Sequence, residues 1–243
     1  MPPTVLASGD AGATACGRRR AAYIARVPRN RFIEPSAPVL RSEPPTGPEW
    51  LHEVKHDGWR AQLHIRDRRA TIFGKNGGDL TRRFRAIAAA VDRLPVASAI
   101  IDAELVACNA DGTPNFYAMM RGAPDGCCAY CFDMMEFDGR SLVVAPLEER
   151  RYLLRKLLKR AGIDGLRLSE VFDDPRALLA ACEKHGLEGI VSKRRGDPYR
   201  HGANSGWVKV KTAAWRAANQ ERLLFTLRGG QQTAGGAKGR GHG

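Results

Sequence analysis

The stretch Glu53-Val-Lys-His-Asp-Gly-Trp-Arg60 joins two apolar segments of the chain. The flanking residues, Trp50–His56 and Trp59–Arg66, have the composition of strands, and Asp57-Gly58 is typical of a tight turn between them. A lysine at the end of an apolar strand loses hydration, which favours its neutral form. A neutral, positioned amine is a nucleophile, so Lys55 is a candidate catalytic residue. The alternative is an ordinary lysine beside a hairpin turn.

Two further segments place acidic residues at apolar strands. In Asp102-Ala-Glu104 the two carboxylates occupy positions i and i+2, so they lie on the same face of a strand. Acids on an apolar strand need partners, and these two could pair with a lysine and hold Mg²⁺. Glu188-Gly-Ile-Val-Ser-Lys193 also has an acid and a base on either side of an apolar strand. For Asp102 and Glu104, the alternative is a surface salt bridge at a strand end.

A third segment carries two lysines on one strand face. Trp207-Val-Lys-Val-Lys211 places Lys209 and Lys211 on one face and its two valines on the other. Because like charges on one face repel, a phosphate between them is a natural ligand; an exposed edge strand is the alternative. Phe132, in Tyr130-Cys-Phe-Asp133, could stack on a purine base, or it could be a core aromatic residue.

The rest of the chain predicts a mixture of helices and strands without an internal repeat. Helices are predicted over Leu80–Leu94, Asn115–Arg121, Pro146–Ala161 and Pro175–His185, with Asp79 and Asp174 as N-caps. The other strands are predicted over Ala70–Gly74, Ala99–Cys108, Cys127–Glu136, Leu166–Phe172, Glu188–Arg194 and Gly206–Lys211. Strand pairs joined by turn signals, with helices between them, indicate an α+β fold with mainly antiparallel sheets.

Taken in this order, the segments around Lys55, Glu104, Phe132, Glu188 and Lys209 resemble the covalent nucleotidyltransferases. The resemblance is to the adenylation domain of ATP-dependent DNA ligases, and in particular to the ligase module of bacterial DNA ligase D. It runs from about residue 32 to about residue 225. It implies an adenylation domain over residues 32–227 with an ATP-grasp-like fold, in which a nucleotide groove separates two antiparallel-sheet subdomains with flanking helices.

The resemblance also implies roles for individual residues. Lys55 would attack the α-phosphate of ATP and become lysyl-AMP, which is then passed to the 5′-phosphate of nicked DNA for sealing in DNA repair. The residues implied to bind ATP are Glu53, Lys55, Arg60, Lys75, Glu104, Phe132, Lys209 and Lys211. The metal cofactor, Mg²⁺ or Mn²⁺, is implied to bind Glu104 and Glu188.

The implied contacts divide along the nucleotide. Glu53 and Phe132 would contact the adenine, and Arg60 the ribose or phosphate side. Glu104 would bind the ribose hydroxyl or assist the metal, and Glu188 would be the main ligand of the metal. The two lysines of the last strand, Lys209 and Lys211, would neutralise the α-phosphate as pyrophosphate leaves. Lys75 would approach a phosphate and the DNA 5′ end.

The chain departs from the family pattern in three places. Lys75, in Gly74-Lys-Asn-Gly77, stands where relatives usually have arginine, so a bidentate phosphate contact is lost. Ala203 and Asn204 stand where relatives often have an arginine shortly after a glycine, and Arg200 could compensate. About thirty residues follow Lys211, too few for the OB-fold domain that usually comes next. A lone adenylation domain is therefore expected, with a separate protein that supplies an OB-like clamp as a candidate partner.

Composition excludes several classes of protein. With 243 residues, 43% of them hydrophobic, the chain can bury a core and is not wholly disordered. No apolar run approaches the roughly 18–20 residues of a membrane span. The first thirty residues lack the apolar core of a secretory signal. The six scattered cysteines fit a reduced, intracellular setting. The resemblance implies the bacterial cytoplasm, and we expect a monomer.

The net charge of +13 is concentrated at the two ends of the chain. Residues 1–31 contain six arginines and one aspartate, and residues 228–243 contain three basic residues and no acid. We interpret the first as a flexible basic arm and the second as a disordered Gly-rich basic tail. Nicked double-stranded DNA is a natural partner for such ends, although solvated tails are an equally simple reading.

Two other functions share these motifs. An RNA ligase, or another covalent nucleotidyltransferase such as a capping-type guanylyltransferase, would need the same catalytic residues. A non-catalytic DNA-binding accessory protein derived from a ligase would keep the fold without the reaction. Zinc binding at Cys127-Cys-Ala-Tyr-Cys131 is disfavoured because no second ligand pair is near in sequence, and these cysteines are predicted to be small core residues.

Overall fold

Two β-sheets dominate the computed structural model, which describes residues 32–107, 109, 126–203 and 205–219. Several predictions lie outside these residues: the arm over 1–31, the helix over 115–121, the role of Asn204, and the tail over 228–243. The described strands are β1 (Val39–Leu40), β2 (Trp50–Lys55), β3 (Trp59–Arg66), β4 (Arg69–Gly74), β5 (Ser98–Ala107), β6 (Cys127–Phe137), β7 (Arg140–Ser141), β8 (Leu166–Leu168), β9 (Gly189–Arg194) and β10 (Val208–Lys211).

The strands pair mostly in antiparallel fashion. The smaller sheet has the order β1-β10-β9-β2, and the larger has the order β4-β3-β5-β6-β7 with β8 beside β6. The pairings of β1 with β10 and of β8 with β6 are parallel. The α+β fold with two mainly antiparallel sheets, expected from the sequence, is confirmed.

Four helices lie around the sheets in the described residues: α1 (Arg85–Asp92), α2 (Leu147–Ala161), α3 (Pro175–Lys184) and α4 (Ala213–Ala218). Among the same residues, none of the helices combines the length and the hydrophobicity needed to cross a lipid bilayer. Asp174 caps α3 as predicted, since its Oδ1 accepts hydrogen bonds from the backbone N–H groups of Arg176 and Ala177.

Three apolar clusters hold these layers together. The largest packs α1 and α2 against the larger sheet, and a second packs α3 against the smaller sheet. The third joins the two sheets to each other through Ile100, Phe132, Met135, Tyr199 and Trp207. Cys127, Cys128 and Cys131 lie buried on β6, as predicted for core residues.

The segment from Ile33 to the start of β1 contacts both sheets. Ile33 exchanges two hydrogen bonds with the side chain of Gln62 on β3, in the larger sheet. The backbone N–H of Ser36 donates to the Tyr199 hydroxyl at 3.0 Å. The backbone N–H of Val39 donates to the carbonyl of Trp207 at 2.8 Å, beside the smaller sheet. This segment therefore crosses the boundary between the sheets.

The predicted hairpin at Asp57-Gly58 is wrong. Strand β2 pairs with β9 in the smaller sheet, whereas β3 pairs with β4 and β5 in the larger one. The turn carries the chain from one sheet to the other across β5. A Cβ atom on Gly58 would lie 2.2 Å from the carbonyl oxygen of Leu105, so only glycine allows this close approach. His56, just before the turn, stacks on Tyr130 with ring centroids 3.8 Å apart.

The predicted start of the first helix is also wrong. The helix begins at Arg85 rather than at Leu80. Asp79 does not cap it, because its Oδ1 accepts a hydrogen bond from the backbone N–H of Thr81 and stabilises a turn instead. The Thr81 hydroxyl then accepts from the backbone N–H of Ile72 on β4, which keeps the turn against the sheet.

Candidate active site

A cavity of about 240 Å³ lies where the two sheets meet. Its walls include seven of the eight residues that the sequence predicts to bind ATP: Glu53, Lys55, Arg60, Lys75, Glu104, Phe132 and Lys209. The eighth, Lys211, does not line this cavity, but it contacts Glu188 beside it. Both sheets contribute to the walls, so the two-sheet architecture brings the predicted residues together.

Glu188 holds two lysines from the two strands that flank β9. Its Oε2 lies 2.6 Å from Lys55 Nζ, and its Oε1 lies 3.0 Å from Lys211 Nζ. The carboxylate is buried, whereas the Lys55 side chain keeps 22% of its surface exposed. The lysine that ends β2 is therefore paired but still accessible from the cavity.

The strand register explains this arrangement. Gly189, the first residue of β9, is the partner of Lys55 on one side and of Lys211 on the other. Its φ of +148° is rarely adopted by other residues, and a Cβ atom there would lie 2.0 Å from the Val210 carbonyl oxygen. Glycine at this position lets β9 begin between the two lysines, with Glu188 directly before it.

Lys209 faces the cavity two residues before Lys211, and the alternation predicted for β10 is confirmed. Val210 is buried against α3 in the core of the smaller sheet, on the opposite face. Burial and the nearby ammonium groups of Lys55 and Lys211 lower the pKa of Lys209. Positive charges thus crowd this wall, which favours an anionic ligand.

Lys75 lies on an exposed turn at the end of β4. The turn closes through a hydrogen bond from the backbone N–H of Gly77 to the carbonyl of Gly74, and Gly77 has a φ of +80°. Phe32 packs against the same turn.

Arg200 was predicted to compensate for the arginine that is missing near Ala203 and Asn204. This prediction has no support, because the Arg200 side chain is exposed and its guanidinium lies 3.5 Å from the Asp197 carboxylate.

Glu104 is one of two acidic residues on the cavity wall, with Glu53. Burial raises its pKa to about 7, and Glu188 and Asp102 add to the rise, while Lys55 and Arg60 oppose it. Asp102 does not pair with a lysine, as the sequence had suggested it could. It accepts two hydrogen bonds from Arg60, at 2.6 and 2.7 Å, and one from the Tyr199 hydroxyl at 2.7 Å.

Two aromatic rings lie in the apolar part of the cavity wall. Phe132 and Trp207 meet edge to face with centroids 6.1 Å apart. The guanidinium carbon of Arg60 lies 4.6 Å from the Phe132 centroid, and Lys193 Nζ lies 4.3 Å from Phe132 and 4.2 Å from Trp207. Cation–π contacts of this kind hold both rings in place.

Glu53 has two buried cationic partners. Its Oε1 accepts hydrogen bonds from Lys193 Nζ at 2.8 Å and from Arg151 Nη1 at 2.9 Å. Arg151 also donates to the carbonyls of Phe132 and Ser169, so α2 is tied to the floor of the cavity. Burial lowers the pKa of Lys193, and the nearby charge of Glu53 opposes that effect.

Sequence reasoning did not select Arg151, Tyr199 or Trp207 as site residues. Arg151 follows Arg150 within an otherwise amphipathic helix, and both arginines are buried. Each of the two lies three or four residues from both Leu147 and Leu154, so the helical period places them on the apolar face, which is a signal that could have found Arg151. Trp207 begins the segment of the two lysines and could have been found by its position.

The chain was compared with known proteins. Residues 43–211 match the family model described as ATP dependent DNA ligase domain. The chain belongs to this family. The resemblance inferred from the sequence is thereby confirmed, and the cavity-lining residues from Glu53 to Lys209 lie within the matched region.

Curated relatives in this family are longer than the chain. The multifunctional non-homologous end joining protein LigD of Pseudomonas aeruginosa is 34% identical over 215 residues, which cover 86% of this chain and 26% of that protein. A probable DNA ligase of Beutenbergia cavernae is 34% identical over 173 residues, covering 65% of this chain and 33% of that protein. The chain spans about a quarter of the length of the LigD proteins it matches.

Solved structures of ligase domains share the fold. The ligase domain of LigD from M. tuberculosis superposes with a TM-score of 0.64 at 26% identity, covering 73% of this chain and 60% of that chain. Mycobacterial DNA ligase D complexed with ATP and MES gives a TM-score of 0.61 at 27% identity, covering 72% of this chain and 60% of that chain. The two-sheet architecture is therefore that of an ATP-dependent DNA ligase domain.

Proposed function

We propose that this chain is the adenylation module of an ATP-dependent DNA ligase. It forms a covalent lysyl-AMP and passes AMP to the 5′-phosphate of nicked DNA. One observation carries the proposal. Lys55 lines the cavity, its Nζ lies 2.6 Å from Glu188 Oε2, and Lys209 and Lys211 lie nearby. A nucleophilic amine, a carboxylate and further ammonium groups are what transfer of a nucleotidyl group requires.

The first step forms a bond between Lys55 Nζ and the α-phosphorus of ATP. The bond from that phosphorus to the oxygen bridging to the β-phosphate breaks, and pyrophosphate leaves with the electron pair. Nζ must give up a proton before it attacks, and the proton can leave to solvent because the Lys55 side chain keeps 22% of its surface exposed. Negative charge grows on the phosphate oxygens, where Lys209 and Lys211 stabilise it without rearrangement.

The rest of the cavity accommodates the nucleotide. Phe132 and Trp207 offer ring surfaces for the adenine, and Arg60 lies over both rings and is assigned to the ribose. Glu53 orients this end indirectly, since its carboxylate holds Lys193 under the two rings. Lys75, on its exposed turn, is available to the phosphates or to the DNA 5′ end.

Glu104 and Glu188 are the residues that would hold Mg²⁺ or Mn²⁺. Among the described residues no group of three or more histidine, cysteine, aspartate or glutamate side chains is assembled for a metal. Two carboxylates fit Mg²⁺, because this ion binds few protein ligands and completes its shell with phosphate oxygens and water. The ion would supply charge neutralisation at the phosphates. Deprotonation of Lys55 ends its ion pair and frees Glu188 Oε2 for this role.

Sealing is proposed for the whole protein, because the chain spans only part of its relatives. The 5′-phosphate of nicked DNA attacks the phosphorus of lysyl-AMP and releases the Lys55 amine. The adjacent 3′-hydroxyl then attacks the 5′-phosphorus, and AMP leaves as the phosphodiester forms. We place the reaction in the bacterial cytoplasm and in a monomer. A separate protein that supplies an OB-like clamp stays a prediction from the sequence.

The test is to incubate the purified protein with α-labelled ATP and Mg²⁺. Wild type is expected to retain label after acid denaturation, whereas Lys55→Ala is expected to retain none. Lys159→Ala is the matched control, since this lysine is exposed on α2 and outside the cavity. Unlabelled wild type, in a folded sample free of bound AMP, would contradict the proposal.

A chase then identifies the acceptor. Labelled protein is mixed with nicked DNA or with nicked RNA of the same sequence. Release of label with formation of sealed DNA supports the DNA ligase. Transfer to RNA alone would instead assign the chain to the RNA ligases that share these motifs.

A further inference from the structure

Helix α4 begins directly after Lys211 and is not held by a buried face. Its six residues are Ala213-Ala-Trp-Arg-Ala-Ala218, and none of them is buried. A helix this short is unstable on its own, so its position depends on contacts at its ends and along one side. Those contacts are specific, and they lead back to the candidate active site.

The start of α4 is capped by two side chains. Glu183, on α3, accepts hydrogen bonds from the backbone N–H groups of Ala213 and Ala214, both at 2.8 Å. Thr212 Oγ1 accepts from the backbone N–H of Trp215 at 3.3 Å and donates to the Leu187 carbonyl at 2.8 Å. The first turn of α4 is therefore fixed against the smaller sheet.

Trp215 is the residue of α4 that turns toward the active site. Lys211 Nζ lies 3.8 Å from the centroid of its ring, and the same Nζ lies 3.0 Å from Glu188 Oε1. The indole N–H donates to Asp57 Oδ2 at 3.4 Å. One ring thus contacts the last lysine of β10 and the turn that follows Lys55.

We propose that Trp215 is a positioning residue for Lys211. The ring and the Glu188 carboxylate hold the ammonium group from two directions, so that Lys211 is oriented before a nucleotide phosphate arrives. A ring surface attracts a cation without neutralising it, and the charge stays available to the phosphate. The hydrogen bond to Asp57 fixes the ring relative to the segment that carries the nucleophile. This inference rests on the proposed function.

The test measures equilibrium binding of α,β-methylene-ATP with Mg²⁺, an analogue that cannot transfer its AMP to Lys55. Trp215→Leu is expected to raise the Kd about 5-fold, the size of a partly desolvated cation–π contact. Trp215→Phe keeps a ring and is expected to stay within about 2-fold of wild type. In a Lys211→Met background, Trp215→Leu should have no further effect, because the cation it positions is gone.

The outcomes distinguish failure of this inference from failure of the proposed function. If Trp215→Leu weakens binding of the analogue equally with and without Lys211→Met, the role of Trp215 is merely structural. If it weakens binding in neither background, Trp215 has no role in binding. Either outcome overturns the inference. If wild type fails to bind the analogue, the proposed function falls and this inference with it. If circular dichroism shows that Trp215→Leu does not fold, Glu183→Ala replaces it: it removes the two hydrogen bonds that Glu183 accepts from the start of α4, and the same dependence on Lys211 is expected.

Discussion

Glu188 Oε2 lies 2.6 Å from Lys55 Nζ, so the proposed nucleophile is in direct contact with its acidic partner. The same carboxylate reaches Lys211 through its other oxygen. One buried group therefore organises two cationic side chains from two strands. The consequences of changing it, and of changing the backbone that presents it, can be measured.

Glu188→Gln removes the charge that holds the two lysines. We expect the single-turnover rate of lysyl-AMP formation to fall roughly 100–1000-fold, the range for loss of one preorganised electrostatic group. Label from α-labelled ATP, followed over time, gives this rate. Glu148→Gln, at an exposed position in the first turn of α2, is the matched control and should adenylate like wild type.

Gly189→Ala adds a Cβ atom where the backbone of β10 approaches most closely. The contact of 2.0 Å with the Val210 carbonyl and the φ of +148° must both be relieved, so we expect a loss of roughly 2–4 kcal/mol in the free energy of unfolding. Urea denaturation measures it. Gly196→Ala serves as control, because a Cβ atom there meets nothing within 4 Å. Equal stability of the two variants would show that β9 and β10 can separate freely.

Asp102→Asn removes the charge opposite Arg60. The guanidinium would then be left in the protein interior without its bidentate partner, and we expect a loss of about 3 kcal/mol in the free energy of unfolding. The comparison variant is Asp173→Asn, which breaks an exposed ion pair with Arg195 and should cost under about 1 kcal/mol. A cost for Asp102→Asn as small as that of the control would contradict a structural role for the pair.

His56 makes stability depend on pH. Burial lowers its pKa from 6.5 to about 4; Lys55 and Lys193 add to this effect, and Glu53 opposes it. Because the unfolded chain binds the proton more tightly, this stability is present above pH 6.5 and is lost as the pH falls toward 4. His56→Phe keeps a ring against Tyr130 but cannot titrate. Lowering the pH from 7 to 4 should therefore lower the melting temperature of wild type more than that of the variant. Equal decreases for the two proteins would refute the assignment of this pH dependence to His56.

The placement of the lysines on β10 was predictable, because a period of two assigns residues to strand faces. Lys209 and Lys211 needed no knowledge of distant partners, since the alternation with valine already fixed their side of the sheet. The same argument brought Lys55 to the end of an apolar strand. The local sequence pattern was therefore sufficient to predict which face of a strand a residue occupies.

The partner of each strand was not predictable from such local signals. Asp57-Gly58 specifies a turn, but a turn does not decide whether its flanking strands pair with each other. Strand β2 instead pairs with β9, more than 130 residues later, and that choice depends on packing of the smaller sheet against α3. The partners of Glu53 were missed for the same reason: Arg151 comes from a helix that is adjacent only after folding.

The contacts of Ile33, Ser36 and Val39 with both sheets have a mechanical consequence. These hydrogen bonds attach one continuous piece of chain to both sheets, so a change in the angle between the sheets has to be absorbed within this segment. The contacts therefore restrain the separation of the cavity wall that carries Phe132 from the wall that carries Lys209. A restrained cavity lowers the conformational cost of binding a nucleotide.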